Sequence, residues 1–264
     1  MTPPDVPLRL EFSVEVPGTP EQVWAAIATA DGISSWFLPT DVEPRLGGTI
    51  VTHMGDTSST GRVTGWEPAH RFAYEEPGWA ASIDHREATV TPLVSEFLIE
   101  AQSGGTCVVR VVSSAFGTGA DWEQESLYNM ARYWRPYFEH HLRQYLGRFA
   151  GQRATTLEID VDLAGQAHSV RRAIERELGI TEVGQALDVL GVTGRVERVG
   201  DPYILVSVTD PVPGFLSFSA MDKDDIEQMA SAQVAGWLFG ADAPAYVERE
   251  TSALTDWLKH VTVS

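Results

Sequence analysis

Hydrophobic and polar residues alternate along the start of the chain. In residues 8–16, Phe12 and Val16 belong to an apolar set, and charged or hydroxyl side chains stand between them. This period of two is typical of a half-buried β-strand. Thr19 follows, with Gln22 three positions later, which is the signature of a capping box at the start of a helix. The pattern therefore predicts a strand that leads directly into a helix.

Further alternating segments predict a sheet, and a longer periodic segment predicts a helix. The additional strands are expected at 49–54, 61–67, 70–75, 94–101 and 106–114. Over about 120–149, apolar residues recur every three or four positions, which predicts one long amphipathic helix. Asp121 is its expected N-cap. Pro136 should kink it, because proline removes a backbone donor.

The opening of the chain is repeated. Leu10–Ile33 aligns without a gap over Leu157–Ile180, and nine of the 24 positions are identical, where roughly one or two would match by chance. The tetrapeptide TGRV also occurs twice, at Thr60 and at Thr193. We therefore predict two related domains, 1–150 and 151–264, of which the second is a shorter, degenerate copy.

The second domain is expected to begin with the same strand and helix. Its strands are predicted at 154–163, 193–199, 203–209 and 214–220, and two helices are predicted at 223–239 and 245–261. At positions aligned with Trp24, Trp36 and Phe37 it has Arg171, Val183 and Gly184. Because this copy lacks the aromatic cluster, we do not expect a sizeable pocket in it.

Four motifs carry a resemblance to a known family. They are VPGTPEQVWAAI with the following WF, PRLGG, GRVTGWEPAHRFAY and GGTCVVRVVSSAFG, and they cover nearly all of 8–149. Together they resemble the START-like, polyketide-cyclase-like (SRPBCC) superfamily, in particular a bacterial branch similar to the C-terminal domain of activators of the heat-shock-protein-90 ATPase. Two features differ from many relatives: Ser113 stands where they have histidine, and the segment 76–93 is longer.

The resemblance implies an α+β helix-grip fold, in which a curved antiparallel sheet surrounds a long C-terminal helix, followed by a shorter related α+β domain. Such a fold encloses a space between the sheet and the helix. The sequence leaves open whether large side chains fill this space or leave a cavity. The residues expected to face it are Phe72, Tyr74, Phe97, Ile99, Val109, Val111, Met130, Trp134, Phe138 and His141. The function expected from this arrangement is binding of a small apolar or amphipathic ligand.

Two other functions stay open. The first is a cyclase-, dehydratase- or hydrolase-like enzyme in the same hollow, with His141 and Tyr74 as the acid/base candidates. His141 also lies on the apolar stripe of the long helix, where a satisfied core histidine is expected. The second is an interaction with a chaperone. No sequence motif for nucleophilic, metal or cofactor chemistry is present, so neither a metal nor a cofactor is expected.

Composition narrows the set of partners. The chain has 264 residues and a net charge of -18, which disfavours binding to nucleic acid. The sequence contains no run of 18 apolar residues, so no membrane-spanning segment is predicted. The N-terminus also has no apolar segment typical of a secretory signal. The single cysteine, Cys107, is expected to be a buried, inert thiol and fits a cytoplasmic location. A homodimer is a further state that the sequence leaves open. The loop neighbours Asp84 and His85 are expected to be solvated.

Overall fold

The computed structural model describes residues 5–55, 57–83, 85–223, 226 and 228–263. The chain divides into two compact units, Met1–Arg153 and Ala154–Ser264. Each unit contains one antiparallel sheet together with helices. The molecule is thus an α+β protein of two domains.

The first unit contains a seven-stranded sheet in the order β1-β7-β6-β5-β4-β3-β2. Its strands are β1 (Val6–Pro17), β2 (Thr40–Val42), β3 (Thr49–Met54), β4 (Thr57–Glu67), β5 (Arg71–Glu76), β6 (Leu93–Ala101) and β7 (Thr106–Gly117). Its helices are α1 (Pro20–Ala28), α2 (Ala30–Ser34) and α3 (Asp121–Pro136). Of the strands, only the three-residue β2 was not expected, because it is too short to show alternation.

The start of α1 forms as predicted. The amide of Gln22 donates to the Thr19 hydroxyl at 3.3 Å, and the Thr19 amide donates to the Gln22 side chain at 2.9 Å. The indole of Trp36 then donates to the carbonyl of Ala26 at 2.9 Å. This buried hydrogen bond ties the end of α2 back to α1, and it fixes the aromatic pair that follows α2.

The expected cap of α3 is wrong. Asp121 is the first helical residue, and the preceding Ala120 makes no side-chain capping bond. The buried carboxylate of Glu123 instead accepts hydrogen bonds from the amides of Thr118 and Gly119, each at 2.9 Å. Because Glu123 is on the buried side of the first turn, it reaches the free amides before the helix, whereas Asp121 points to solvent.

The long helix is regular only as far as Pro136. Beyond it the chain continues in wider π-type turns, Tyr137–Leu142 and Tyr145–Phe149. Proline has no amide hydrogen for the usual bond to the carbonyl four residues earlier, and wide turns are one way to accommodate that loss. The single regular helix expected over 120–149 is therefore a helix followed by a wider spiral.

The second unit contains a six-stranded sheet in the order β8-β13-β12-β11-β10-β9. Its elements are β8 (Thr155–Ala164), α4 (Ala167–Glu177), β9 (Ala186–Val189), β10 (Val192–Arg198), β11 (Tyr203–Asp210), β12 (Gly214–Asp222), β13 (Met229–Leu238) and α5 (Ala243–Lys259). The strand-then-helix opening predicted by the repeat is confirmed. In both units the first strand pairs with the last, so the two sheets share one topology apart from one strand.

The helix expected at 223–239 is wrong, because Met229–Leu238 is strand β13. Ala230, Ala232 and Val234 are buried between more exposed neighbours, which is a period of two. Alanine favours helices, and this preference obscured the alternation. Pairing with β8 on one side and β12 on the other makes β13 a central strand, so tertiary hydrogen bonding overrides local propensity. Residues 224, 225 and 227 of the expected helix lie outside the described residues.

Candidate functional site

A small hollow lies between the sheet of the first unit and its helices. Its volume is about 30 Å³, counted as space open to the centres of water molecules. On that measure one water needs roughly 10–15 Å³, so there is room for about two. The wall consists of Ile27, Ile33, Trp36, Phe37, Thr40, Ile50, Thr52, Phe72, Tyr74, Phe97, Trp134 and Phe138. Seven of these twelve side chains are aromatic.

Half of the sequence-predicted ligand residues lie in this wall. They are Phe72, Tyr74, Phe97, Trp134 and Phe138. The strand residues Ile99, Val109 and Val111 are buried outside it. Met130 packs on a separate apolar cluster around Trp79 and Leu127. His141 is fully buried outside the wall, with its ring stacked on Tyr137 at 4.3 Å between centroids.

The position of His141 follows from the shape of the helix. A spacing of seven residues places two side chains on one face only while the spiral keeps about 3.6 residues per turn. The turns after Pro136 are wider, so residue 141 no longer lies on the same face of the helix as Trp134. The enzyme hypothesis needs His141 and Tyr74 at one point, and only Tyr74 lies in the wall.

Sequence reasoning missed the part of the wall that comes from short elements. Ile27 and Ile33 come from α1 and α2, while Thr40, Ile50 and Thr52 come from β2 and β3. Trp36 and Phe37 complete this side. The adjacent aromatics after α2 were a visible signal, because such a pair at the end of a short helix needs a buried surface. The three β2 and β3 residues gave no comparable signal.

Aromatic contacts explain why the hollow is small. The Phe97 ring is 5.9 Å from that of Phe72 and 5.8 Å from that of Phe138. Trp36 meets Phe138 edge to face at 4.8 Å. These distances are typical of stabilising aromatic pairs, so the large rings occupy most of the space that the curved sheet leaves.

One side of the wall reaches the surface. Trp134 and Thr52 are half-buried, whereas the other ten wall residues are buried. Thr52 pairs with Thr40 across β3 and β2, and Trp134 meets Phe37 edge to face at 5.7 Å. The two wall residues that are partly exposed, Trp134 and Thr52, therefore come from α3 and β3 and mark the mouth of the hollow.

The sheet carries a buried polar row at the edge of the hollow. Tyr74, Ser95 and Ser113 are opposite one another on three neighbouring strands. The hydroxyls of Ser95 and Ser113 lie 3.0 Å apart, and Tyr74 is the cross-strand neighbour of Ser95. The three side chains of this row all carry hydroxyl groups.

Glu76 is a second polar group on the inner face of β5. It is buried, and its carboxylate accepts a hydrogen bond of 2.5 Å from the Ser59 hydroxyl. Burial raises the pKa of Glu76, and the hydrogen bond from Ser59 opposes that effect. Burial, together with the charge of Glu76, holds the pKa of Tyr74 well above its usual range. The phenol therefore stays protonated and can exchange hydrogen bonds with a ligand.

The segment 76–93 packs as part of the fold. Trp79 is buried and donates from its indole to the carbonyl of Thr91 at 3.0 Å. The imidazole of His85 stacks on Trp122 at 3.9 Å between centroids, so His85 is not solvated as expected. Asp84 lies outside the described residues.

The described residues contain few groups suited to other chemistry. No cluster of three or more His, Cys, Asp or Glu side chains among them could hold a metal ion, and none of their helices is long and apolar enough to cross a membrane. Cys107 is buried, with its sulfur 3.4 Å from the carbonyl of Gly18, and burial raises its thiol pKa. A raised pKa makes the reactive thiolate scarce.

The fold and the hollow together define a helix-grip protein with an aromatic-lined interior. Residues 17–147 match the family described as Activator of Hsp90 ATPase homolog 1-like protein. The first domain is therefore an SRPBCC-type domain similar to this family.

Several solved structures are similar to the chain. Protein MLL2253 from Mesorhizobium loti is 20% identical over 54% of this chain and 98% of its own, with a TM-score of 0.45. The Aha1 dimer from Colwellia psychrerythraea is 18% identical over 55% of this chain and 99% of its own, with a TM-score of 0.43. The di-domain ARO/CYC BexL from the BE-7585A biosynthetic pathway is 14% identical over 97% of this chain and 99% of its own, with a TM-score of 0.45. No curated protein matches the sequence.

Proposed function

We propose that the first domain binds a small apolar or amphipathic molecule in the aromatic-lined hollow. The observation that carries this proposal is a wall of twelve residues, seven of them aromatic, that encloses open space and reaches the surface beside Trp134. Ligand sites are typically apolar with a few placed polar groups. Here those groups are the hydroxyls of Tyr74, Thr40 and Thr52.

The size of the hollow sets a condition on binding. Room for about two waters does not hold an organic ligand, so wall residues must move when one binds. The half-buried Trp134 is the side chain with the least to lose, because part of its indole already faces solvent. We expect rotation of this residue to enlarge the hollow towards its mouth.

A dye titration tests the proposal directly. N-phenyl-1-naphthylamine is uncharged and becomes fluorescent in apolar surroundings. We expect saturable binding to the full chain and a changed affinity in Trp134→Ala, whereas a matched change at the exposed Tyr128, Tyr128→Ala, should leave the affinity unaltered. Native mass spectrometry of the gently purified protein gives a second readout, a mass excess that unfolding removes. Absence of both dye binding and bound mass would overturn the proposal.

The family match supports a second function, stimulation of a chaperone ATPase. The test is the ATPase rate of a purified bacterial Hsp90 with and without an excess of this chain. A several-fold increase that remains in Trp134→Ala would favour a surface interaction over ligand binding. An unchanged rate would exclude stimulation of the Hsp90 tested.

A further inference from the structure

We propose that the buried carboxyl group of Glu76, which lies next to the wall of the hollow, makes the site selective for uncharged ligands and excludes anionic ones. This inference rests on the proposed function, because it concerns which molecules the same hollow accepts. It assigns the ligand a chemistry: an apolar body with an uncharged hydrogen-bonding group, such as a hydroxyl or a carbonyl.

The strand geometry places Glu76 next to the wall. Tyr74 is a wall residue, and Glu76, two positions later on β5, is on the same inner face of the sheet. On the neighbouring strand β4, Gly61 leaves the space that the Glu76 side chain occupies. A Cβ atom at Gly61 would lie 3.0 Å from Cγ of Glu76 and 3.0 Å from Cγ2 of the wall residue Ile50. Glu76 and Ile50 therefore border the same gap.

The carboxyl group is held in this position. Its oxygen Oε1 accepts from the hydroxyl of Ser59 at 2.5 Å, and both residues are buried. Ser59 in turn pairs with the wall residue Thr52 across β4 and β3. The acid group is thus buried and held by a neighbour of the wall, and its charge is screened less than a surface charge.

The wall offers no compensation for a negative ligand. None of its twelve residues is lysine, arginine or histidine. An anion in the hollow would lose its hydration without gaining a counter-charge, and it would also face the carboxylate of Glu76. An uncharged ligand avoids both penalties and can hydrogen-bond to the hydroxyl of the wall residue Tyr74.

The size of the effect follows from Coulomb's law. For two charges roughly 7 to 10 Å apart at an effective dielectric constant of about 20, the repulsion corresponds to about a 10- to 50-fold loss of affinity. Removal of the Glu76 charge should recover that factor for an anionic ligand. The affinity for an uncharged ligand of the same shape should stay within about twofold, since no charge is then involved.

Two dyes with one apolar body make the test. N-phenyl-1-naphthylamine is uncharged, and 1-anilinonaphthalene-8-sulfonate adds a single sulfonate to the same rings. Both are titrated into the full chain, Glu76→Gln and Glu75→Gln at about pH 8, because alkaline solution favours the ionised form of a carboxyl group whose pKa is raised. Glu75 is the matched control, because it carries the same charge on the opposite face of the same strand.

We expect Glu76→Gln to strengthen sulfonate binding by about 10- to 50-fold and Glu75→Gln to leave it within about twofold. Glu76→Leu removes the same charge with an apolar side chain and must give the same result, so one poorly folded variant does not decide the outcome. If both dyes bind and their affinity ratio is the same in all variants, the inference is overturned and ligand binding stands. If neither dye binds any form, the proposed function fails, and this inference fails with it.

Discussion

Truncation of Trp134 is the sharpest test of whether the interior is hollow. A tryptophan in a close-packed core costs about 3–5 kcal/mol of unfolding free energy when it is changed to alanine. Trp134 is half-buried and borders open space. Its edge-to-face pair with Phe37 is worth about 0.5–1.5 kcal/mol. Burial of part of the indole adds about 1 kcal/mol, so we expect Trp134→Ala to cost about 2 kcal/mol.

The same wall provides a matched control. Trp36 is 2% exposed, its indole donates to the carbonyl of Ala26 at 2.9 Å, and its ring packs on Phe138. Trp36→Ala should therefore show the full cost of a packed core, about 4–5 kcal/mol, with an unpaired carbonyl as part of the loss. The expected difference between the two variants is about 2 kcal/mol.

Urea denaturation followed by circular dichroism measures both costs. The comparison is valid where the m-value, the slope of unfolding free energy against urea, is unchanged, because the two variants then expose the same surface on unfolding. Equal costs for Trp134→Ala and Trp36→Ala, both in the core range, would refute the reasoning. The interior would then be solid, and a role in partner binding would move ahead of ligand binding.

Three further predictions concern stability. Glu123→Ala should cost about 2–4 kcal/mol at neutral pH, because it removes hydrogen bonds to a buried carboxylate. Burial raises the pKa of Glu123, but the hydrogen bonds from Thr118 and Gly119 outweigh that effect and lower it. The stabilisation that Glu123 contributes is therefore present above its unfolded-state pKa and is lost as the pH falls through its folded-state pKa. In an acid titration, the stabilities of wild type and Glu123→Ala should therefore converge. Glu76 behaves oppositely, since its folded-state pKa is raised: its contribution is complete below the unfolded-state pKa and lost as pH rises through the folded one. Glu76→Gln should therefore raise the midpoint of thermal unfolding at pH 8 relative to wild type more than at pH 4, and a pH-independent difference would contradict this account. Pro136→Ala should raise the midpoint of thermal unfolding, since an interior proline costs up to ~3 kcal/mol. A lower midpoint would contradict this account and show that packing requires the wide turns after Pro136.

The sequence predicted the elements with strong periodicity and missed those without it. Strands of the first sheet show clear alternation, and the capping box at Thr19 is a local signal that tertiary contacts do not alter. By contrast, β13 is rich in alanine, whose helical preference conflicts with its buried place between two strands. Local propensity carries no information about such pairing, which depends on residues up to 83 positions away.

Only half of the predicted ligand residues lie in the wall of the hollow, for a related reason. Alternation identifies which side of a strand faces inwards, and it selected Phe72, Tyr74 and Phe97 correctly as neighbours. It does not show how far along a strand the hollow extends, so Val109 and Val111 were included although they pack elsewhere. The threonines and isoleucine of the β2–β3 edge enter the wall through sheet curvature, which is a property of the whole sheet.

The two copies of the repeat differ at the residues that build the hollow. Trp24 on α1 packs against Trp66 at 4.9 Å and against the wall residue Phe72 at 6.3 Å. The aligned residue on α4, Arg171, instead pairs with Asp201 at 2.9 Å.

The aromatic pair after α2 shows the same divergence. Trp36 and Phe37 are buried in the first unit, but the residue aligned with Trp36 is Val183, which is 61% exposed. The residue aligned with Phe37 is Gly184, which has a positive φ of 88°. A glycine in that conformation forms a turn and has no side chain that could line a hollow. The second unit thus keeps the strand order of the first while losing the side chains that line its interior, which is why we place ligand binding in the first domain.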